Sequence, residues 1–386
     1  MVTPPTLPLR LGIIGYGWVA RDYMAPAAAA HPDVALAAVA SVRDADFEGL
    51  RQNVARFSDW RALLQDGGVD AVYVATPNHL HADPTVAALE AGIPVLCEKP
   101  LAAELPEAER MMAAVARTGT PYATAFDQRW HPAHVAARAC VTGGCLGTVT
   151  QVRLDYACWV PADWTEGGSA KPEAAPAADN WRVDRARAGG GAVVDLAPHG
   201  LDLVEALTGQ RLTRLTAELQ YGVHGYGVDE GGALLGVLDG GALLVHTVGY
   251  NRPETLPRRR LELLGTGGRL LAEDTMGQTP GGHVTLTDAT TGQAHDVVFD
   301  RATGPFYGQL DAFVRQVRGT YAPERTAADD LRLARLLDGA LATAERVHGS
   351  CGASDAAPRT ARPAPRTARP ASGSPSPTAP QHLPTP

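Results

Sequence analysis

The side chains best suited to chemistry lie in two segments far apart in the chain. One is Cys97-Glu98-Lys99-Pro100, which ends an apolar run. Lys99 is one of only two lysines among 34 basic residues, so the chain uses arginine almost everywhere else. A compact ammonium at a strand end can donate to a substrate oxygen, and burial can tune its acidity. The other segment runs Gly189-Gly190-Gly191-Ala192-Val193-Val194-Asp195-Leu196-Ala197-Pro198-His199-Gly200-Leu201-Asp202. Asp195 and His199 are four residues apart and share one helix face. An imidazole exchanges protons near neutral pH, and an adjacent carboxylate can orient it. Asp195 is therefore expected to hold His199, with Asp202 at a neighbouring position of that face. Pro198 is expected to leave the first helical turn irregular. A two-ligand metal face is a third and lesser reading of this spacing, since no third ligand is evident.

A second group of residues is suited to a cofactor. Gly15-Tyr16-Gly17-Trp18-Val19-Ala20 directly follows an apolar strand and opens a helix. Gly15 permits the tight turn, Gly17 lets the backbone approach a pyrophosphate, and Ala20 allows close helix–strand packing. The phosphates would face the helix N-terminus, which makes Trp18 and Val19 contacts as well. The second strand then ends in Ser41-Val42-Arg43-Asp44. An acid at position 41 would bond a ribose 2′-hydroxyl and select NAD. Ser41 is neutral and Arg43 can meet a 2′-phosphate, so NADP is slightly favoured, with Asp44 keeping NAD open. Thr76-Pro77-Asn78-His79 and Glu98-Lys99 end two further strands at the same edge, where open α/β sheets bind ligands.

These residues need a particular scaffold. Strands are expected at Leu9 to Ile14, Val34 to Ala40, Val69 to Ala75, Ile93 to Cys97 and Pro121 to Phe126, separated by helical stretches. Asp83-Pro84 reads as a cap and first residue of a helix to Glu90. That alternation implies a doubly wound parallel sheet of the Rossmann type. After Gly147 the pattern changes. Apolar runs flank Asp239-Gly240-Gly241, Gly265 to Gly268 and Thr291-Gly292, which are hairpin signals. An α+β domain with a large, mainly antiparallel open sheet is expected. Helices follow near Phe306 to Arg318 and Ala327 to His348. The expected division is 1–125 for cofactor binding, 126–325 for substrate and oligomerisation, 326–350 for a helix packing back on the body, and 351–386 for a disordered Pro/Ala/Arg-rich tail. The Pro161 to Asn180 loop reads as a lid or a plain surface insertion.

Composition narrows the rest. The chain has 386 residues, 45% hydrophobic and 20% charged, with net charge −8. That balance suits a folded protein and argues against nucleic-acid or anionic-membrane surfaces. No apolar run reaches the ~18 residues of a membrane span, and no secretory signal opens the chain. Five cysteines without a CxxC pair suggest neither a disulfide framework nor a zinc site, which points to a reducing, cytoplasmic setting.

Taken together, GIIGYGWVA, VATPNHLH, PVLCEKPLA, FDQRWHP, GGCLGTV and the run from NWR through GGGAVVDLAPHGLDLVEALTG resemble the glucose–fructose oxidoreductase / inositol dehydrogenase / rhizopine catabolism (Gfo/Idh/MocA) family. The resemblance implies NAD(P) in the N-terminal domain and an open sheet forming substrate walls in the second. It implies Lys99 near nicotinamide and substrate, with Asp195 and His199 completing the catalytic face. It implies a homo-oligomer, dimer or tetramer, that oxidises or reduces a small sugar, polyol or related ring. Asp127 and Trp130 stand where the family often has an amide and an arginine, so substrate identity stays open. The rival reading is an NAD(P)-sensing regulator of the same fold without turnover. The enzymatic reading requires Lys99 and His199 to border one cavity.

Overall fold

Five apolar segments and one short edge segment pair side by side in the N-terminal third. The computed structural model describes residues 7–161 and 180–348. The strands are β1 (Leu9–Ile14), β2 (Val34–Ala40), β3 (Ala55–Phe57), β4 (Ala71–Val74), β5 (Val95–Glu98) and β6 (Tyr122–Ala125). They form a parallel sheet in the order β3-β2-β1-β4-β5-β6. Near-continuous apolar strands such as Leu9–Ile14 and Ala71–Val74 are buried on both faces, as a parallel sheet flanked by helices requires. The crossovers are α1 (Ala25–Ala30, entered through a π-type turn at Ala20–Met24), α2 (Trp60–Asp66), α3 (Ala82–Glu90) and α4 (Leu105–Thr118). The sequence predicts Asp83 as the cap of α3 and Pro84 as its first residue. It begins at Ala82 instead, because a 3₁₀ turn at Asn78–Leu80 runs straight into it through His81. Asp83 pairs instead with Arg110 at 2.6 Å.

The second sheet has nine strands. They are β7 (Val149–Ala157), β8 (Leu212–Tyr221), β9 (Gly231–Leu238), β10 (Leu243–Gly249), β11 (Arg259–Gly265), β12 (Gly268–Glu273), β13 (His283–Asp288), β14 (Ala294–Asp296) and β15 (Glu345–His348). Their order is β14-β13-β12-β11-β7-β10-β9-β8-β15. The three expected hairpins are present as β9–β10, β11–β12 and β13–β14. Two pairings are parallel, β7 with β10 and β8 with β15.

One face of this sheet is covered by α5 (Pro132–Thr142) and α7 (Ala192–Thr208), whose apolar residues share a core with the strands. A one-turn helix α6 (Arg185–Ala188) leads into α7. Thirteen of the 17 residues of α7 are buried, so this helix is packed all round. Pro198 lies inside it without ending it, contrary to the irregular first turn expected. Near the C-terminus, α8 (Pro305–Val317) packs Phe306, Leu310 and Phe313 into the core beneath β1. The last helix, α9 (Ala327–Ala342), is set by a Thr326–Asp329 capping box. The sequence ran this helix on to His348. It stops at Ala342, and residues 345–348 pair with β8.

Two further expectations are corrected. Cys140 and Cys145 form a disulfide. The last turn of α5 and the Gly143-Gly144 reversal bring their Cα atoms to 5.6 Å, within bridging range. A pair closed by so local a turn leaves no framework spacing to read. Asp202, expected beside the catalytic face, belongs instead to a buried charge network. It accepts from Arg129 Nε at 2.6 Å, while Glu205 accepts from Arg332 at 2.6 Å. These pairs tie the 3₁₀ turn Asp127–Trp130 and α9 to α7. Of the expected lid, residues 162–179 lie outside the described residues, as does the expected disordered tail. Among the described residues, no helix is long and apolar enough to cross a membrane.

The packing of α7 on β10 is tight enough to test. A Cβ on Gly200 would lie 2.4 Å from Nε2 of the fully buried His246 ring. Overpacking a closed core costs about 1–3 kcal/mol. Gly200→Ala is expected to unfold at a clearly lower temperature than wild type in thermal denaturation. An unchanged midpoint would show that this contact is looser than described.

Candidate active site

The carboxyl edge of the parallel sheet and one face of α7 meet at a cavity of about 300 Å³. Lys99, just past the end of β5, projects into it. Asp195 and His199, one helical turn apart on α7, project from the other side. Ligand pockets commonly begin at about this size. The two side chains that sequence reading required to meet therefore border one space.

The position of α7 follows from glycines that allow backbone contact. Gly189, at φ +86°, would place a Cβ 2.2 Å from the carbonyl of Ala103, in the loop after Lys99-Pro100. A Cβ on Gly191 would fall 1.9 Å from the Asp229 carbonyl. Asp229 in turn accepts from the N–H groups of Gly191 at 2.8 Å and Val193 at 2.7 Å, capping the helix from another segment. On the opposite side, His81 is fully buried between two turns. Its ring nitrogens lie 2.9 Å from the carbonyls of Thr76 and Pro100. Burial pushes its pKa down to about 4, against the pull of those carbonyls. His81 thus ties the β4 turn to the β5 turn, where the Lys99-Pro100 bond is cis.

Lys99 Nζ donates to Asp195 Oδ1 at 2.6 Å and to the Asp195 carbonyl at 2.9 Å. Tyr250 donates to the other Asp195 oxygen at 2.8 Å. Burial alone would raise the Asp195 carboxyl. The charges of Lys99 and Arg182 and the bonds from Lys99 and Tyr250 outweigh it and hold the group below the usual carboxylate range. Asp195 therefore does not hold the imidazole, as the four-residue spacing suggested. Asp127 stands there, with Oδ1 3.2 Å from His199 Nδ1. That contact lies outside hydrogen-bond geometry, so its influence is electrostatic. The Tyr156 ring packs edge-on against His199, with centroids 5.6 Å apart. Glu98 accepts from Tyr73 at 2.5 Å and from the Lys99 N–H at 3.2 Å. Burial pushes its pKa up to about 7, although Lys99 and Tyr73 oppose the shift.

The other expected cofactor contacts are placed as follows. Gly15 has φ +88°, and a Cβ there would lie 2.6 Å from the Thr76 N, so the glycine turn is pressed against the end of β4. Trp18 and Val19 line the cavity with Glu98 and Lys99. Among the described residues Trp18 Nε1 and Thr76 Oγ1 are buried without a partner, polar atoms that a bound dinucleotide can satisfy. Pro77 sets the turn before Asn78. The Asn78 amide donates to the Ala188 carbonyl at 2.9 Å, which joins this edge to α6. His79 is exposed on the same turn, and His81 is the inward histidine. Ser41 and Arg43 both turn to the buried carboxylate of Asp46, Arg43 Nε at 3.1 Å. Among the described residues, no group of three or more His, Cys, Asp or Glu could hold a metal.

Sequence reading missed Asp127, Tyr156, Tyr250 and His81. Asp127 had a signal, an acid where the family resemblance led one to expect an amide. Tyr250 reaches Asp195 across 55 residues and had none. His81 closes the VATPNHLH stretch, where nothing local distinguishes it from His79.

A glycine turn and unpartnered polar atoms at the switch point of a parallel sheet, facing an amine and an imidazole across a shared cavity, define a nicotinamide-dependent oxidoreductase. Comparisons agree. The model of the oxidoreductase family with NAD-binding Rossmann fold matches residues 9–126, and the GFO/IDH/MocA C-terminal domain matches 134–271. The chain belongs to the Gfo/Idh/MocA oxidoreductase family. It is 30% identical over 288 residues to a 1,5-anhydro-D-fructose reductase of Ensifer adhaerens, covering 72% of this chain and 80% of that one. It is 29% identical over 344 residues to a D-xylose 1-dehydrogenase (NADP(+)) of Haloferax volcanii, covering 87% and 98%. The crystal structure of an oxidoreductase domain protein from Kribbella flavida superposes with a TM-score of 0.73 at 29% identity, over 87% of this chain and 97% of that one.

The Glu98 shift gives a pH prediction. A carboxyl whose folded value is about 7 against 4.5 unfolded holds its proton more tightly when folded. Its contribution to stability is therefore complete below about pH 4.5 and is lost as pH rises through about 7. Glu98→Gln keeps an acceptor for Tyr73 and cannot ionise. Its melting temperature should gain on wild type between pH 5.5 and pH 8. A constant difference across that range would mean that Glu98 ionises freely in the folded protein.

Proposed function

We propose that the protein is a reversible NAD(P)-dependent dehydrogenase/reductase acting on a hydroxyl or carbonyl carbon of a small polar substrate, a sugar, polyol or related ring. The observation that carries this reading is the shared cavity of Lys99 and His199. A bound nicotinamide would supply the hydride acceptor or donor. Gly15, Gly17, Trp18, Val19, Thr76, Pro77, Asn78, Glu98 and Lys99 are the residues we propose to hold it.

The protein's own groups handle the proton and the charge. An ammonium has three N–H donors. Asp195 accepts two of those from Lys99, which leaves the third for the substrate oxygen. There it stabilises negative charge developing on that oxygen during oxidation. With Nδ1 of His199 facing the Asp127 carboxylate, Nε2 is the nitrogen that takes the hydroxyl proton. In reduction it returns that proton. Asp195 fixes the ammonium rather than the imidazole. The same intact set favours turnover over a purely sensory role.

For the cofactor, a neutral Ser41 and the cationic Arg43 support NADP slightly over NAD, and Asp46 is the group that an incoming 2′-phosphate would have to displace from Arg43. The outward side chains Leu235 and Leu243 on the second sheet support a homo-oligomer.

General acid–base help is worth about 10²–10⁴-fold. His199→Ala is expected to lower kcat at least about 100-fold with the dissociation constant for NAD(P)H nearly unchanged, measured by steady-state kinetics and fluorescence titration. Unchanged turnover would remove His199 from the mechanism. Lys99→Arg is expected to be severely impaired as well, because a planar guanidinium does not reproduce the ammonium's placement on Asp195. Near-normal kcat in that variant would refute the role given to the lysine.

A further inference from the structure

Four cations line the cavity: Lys99, Arg182, Arg258 and Arg259. Three are engaged. Lys99 is bonded to Asp195, Arg258 pairs with Glu254 at 3.2 Å, and Arg182 lies over the Trp181 ring while its charge acts on Asp195. Arg259 is different. Among the described residues no carboxylate pairs with it, and its Nε is buried without a hydrogen-bond partner.

Its place in the fold is well defined. Arg259 opens β11 and sits opposite Tyr156 of β7 in register. Its guanidinium carbon lies 6.0 Å from the Tyr156 ring centre, and the same ring packs on His199. One terminal nitrogen lies so close to Gly277 that a Cβ there would be 2.2 Å away. The guanidinium therefore shares a wall with the imidazole and is held against backbone.

A partly buried guanidinium without a counter-ion is unfavourable and is normally paired. Its planar fork matches two oxygens of a carboxylate or a phosphate. We propose that Arg259 is a substrate-anion site: the sugar or polyol carries a carboxylate or phosphate ester, separate from the carbon that is oxidised, and Arg259 binds it. This rests on the dehydrogenase reading and specifies its substrate class. Fixing the substrate at that end would leave the reacting hydroxyl to Lys99 and His199.

The test uses matched probes: D-glucose with D-glucuronate and D-glucose 6-phosphate, and D-galactose with D-galacturonate and D-galactose 6-phosphate. Binding to the protein saturated with NADPH or NADH is measured by calorimetry, and reduction of NADP or NAD is followed in parallel. An added charge-assisted contact is worth about tenfold or more in affinity. At least one acidic probe is expected to bind about tenfold more tightly than its neutral partner. Arg259→Met should abolish that preference, and Arg259→Lys should retain part of it. The carboxylate and phosphate arms show which anion is taken. Equal binding of neutral and acidic probes, no binding by any probe, or a preference that survives in Arg259→Met would each overturn the proposal. So would a loss of cofactor affinity in Arg259→Met with the acid preference intact. Reduction of the cofactor by neutral sugars without preference would overturn the anion site and leave the dehydrogenase reading standing. Arg259-dependent acid binding without any cofactor reduction would support the site and count against that reading.

Discussion

The contact between Lys99 and Asp195 is the constraint from which the site follows. It joins the end of a parallel strand to a helix of the second sheet's layer, 96 residues further along the chain. Both partners are largely enclosed, with 12% and 21% of their side chains exposed. An ammonium taken out of water needs a carboxylate with good geometry, and a carboxylate needs its remaining oxygen satisfied. Tyr250 provides the second condition. The result is an ammonium fixed at the cavity edge with one donor direction left to use.

Much of the surrounding structure serves to bring those two atoms together. Gly189 and Gly191 let α7 approach the loop after Lys99 and the Asp229 backbone more closely than any side chain would permit. Asp229 caps the helix that the glycines expose. His81 locks the β4 and β5 turns to each other from beneath. The buried Arg129, Asp202, Arg332 and Glu205 pairs hold α9 and the Asp127 turn against α7. Breaking one partner of such a network leaves an uncompensated buried charge, which costs far more than the intact pair contributes. The turn so held places Asp127 Oδ1 3.2 Å from His199 Nδ1.

What could be read from the residues was local. The glycine turn, the strand ends and the i, i+4 placement of Asp195 and His199 depend on neighbours in sequence, and the structure reproduces them. The inference that Asp195 must hold His199 failed because sharing a helix face is not sharing a bond. The partner of each side chain came from a different element, Asp127 from the turn after β6 and Tyr250 from the end of β10. Likewise α9 carried an amphipathic pattern as far as Ala342, but the edge of β8 recruited residues 345–348 as a strand, which no helical periodicity could foretell. That no carboxylate among the described residues pairs with Arg259 was invisible for the same reason, since it is a property of the assembled wall.

The decisive measurement is a crystal structure with NADP or NAD bound. Nicotinamide C4 is expected to open onto the cavity, with Lys99 Nζ and His199 Nε2 on its exposed face and room between them for a small polar molecule. A nicotinamide facing a compartment that excludes either side chain would contradict that arrangement.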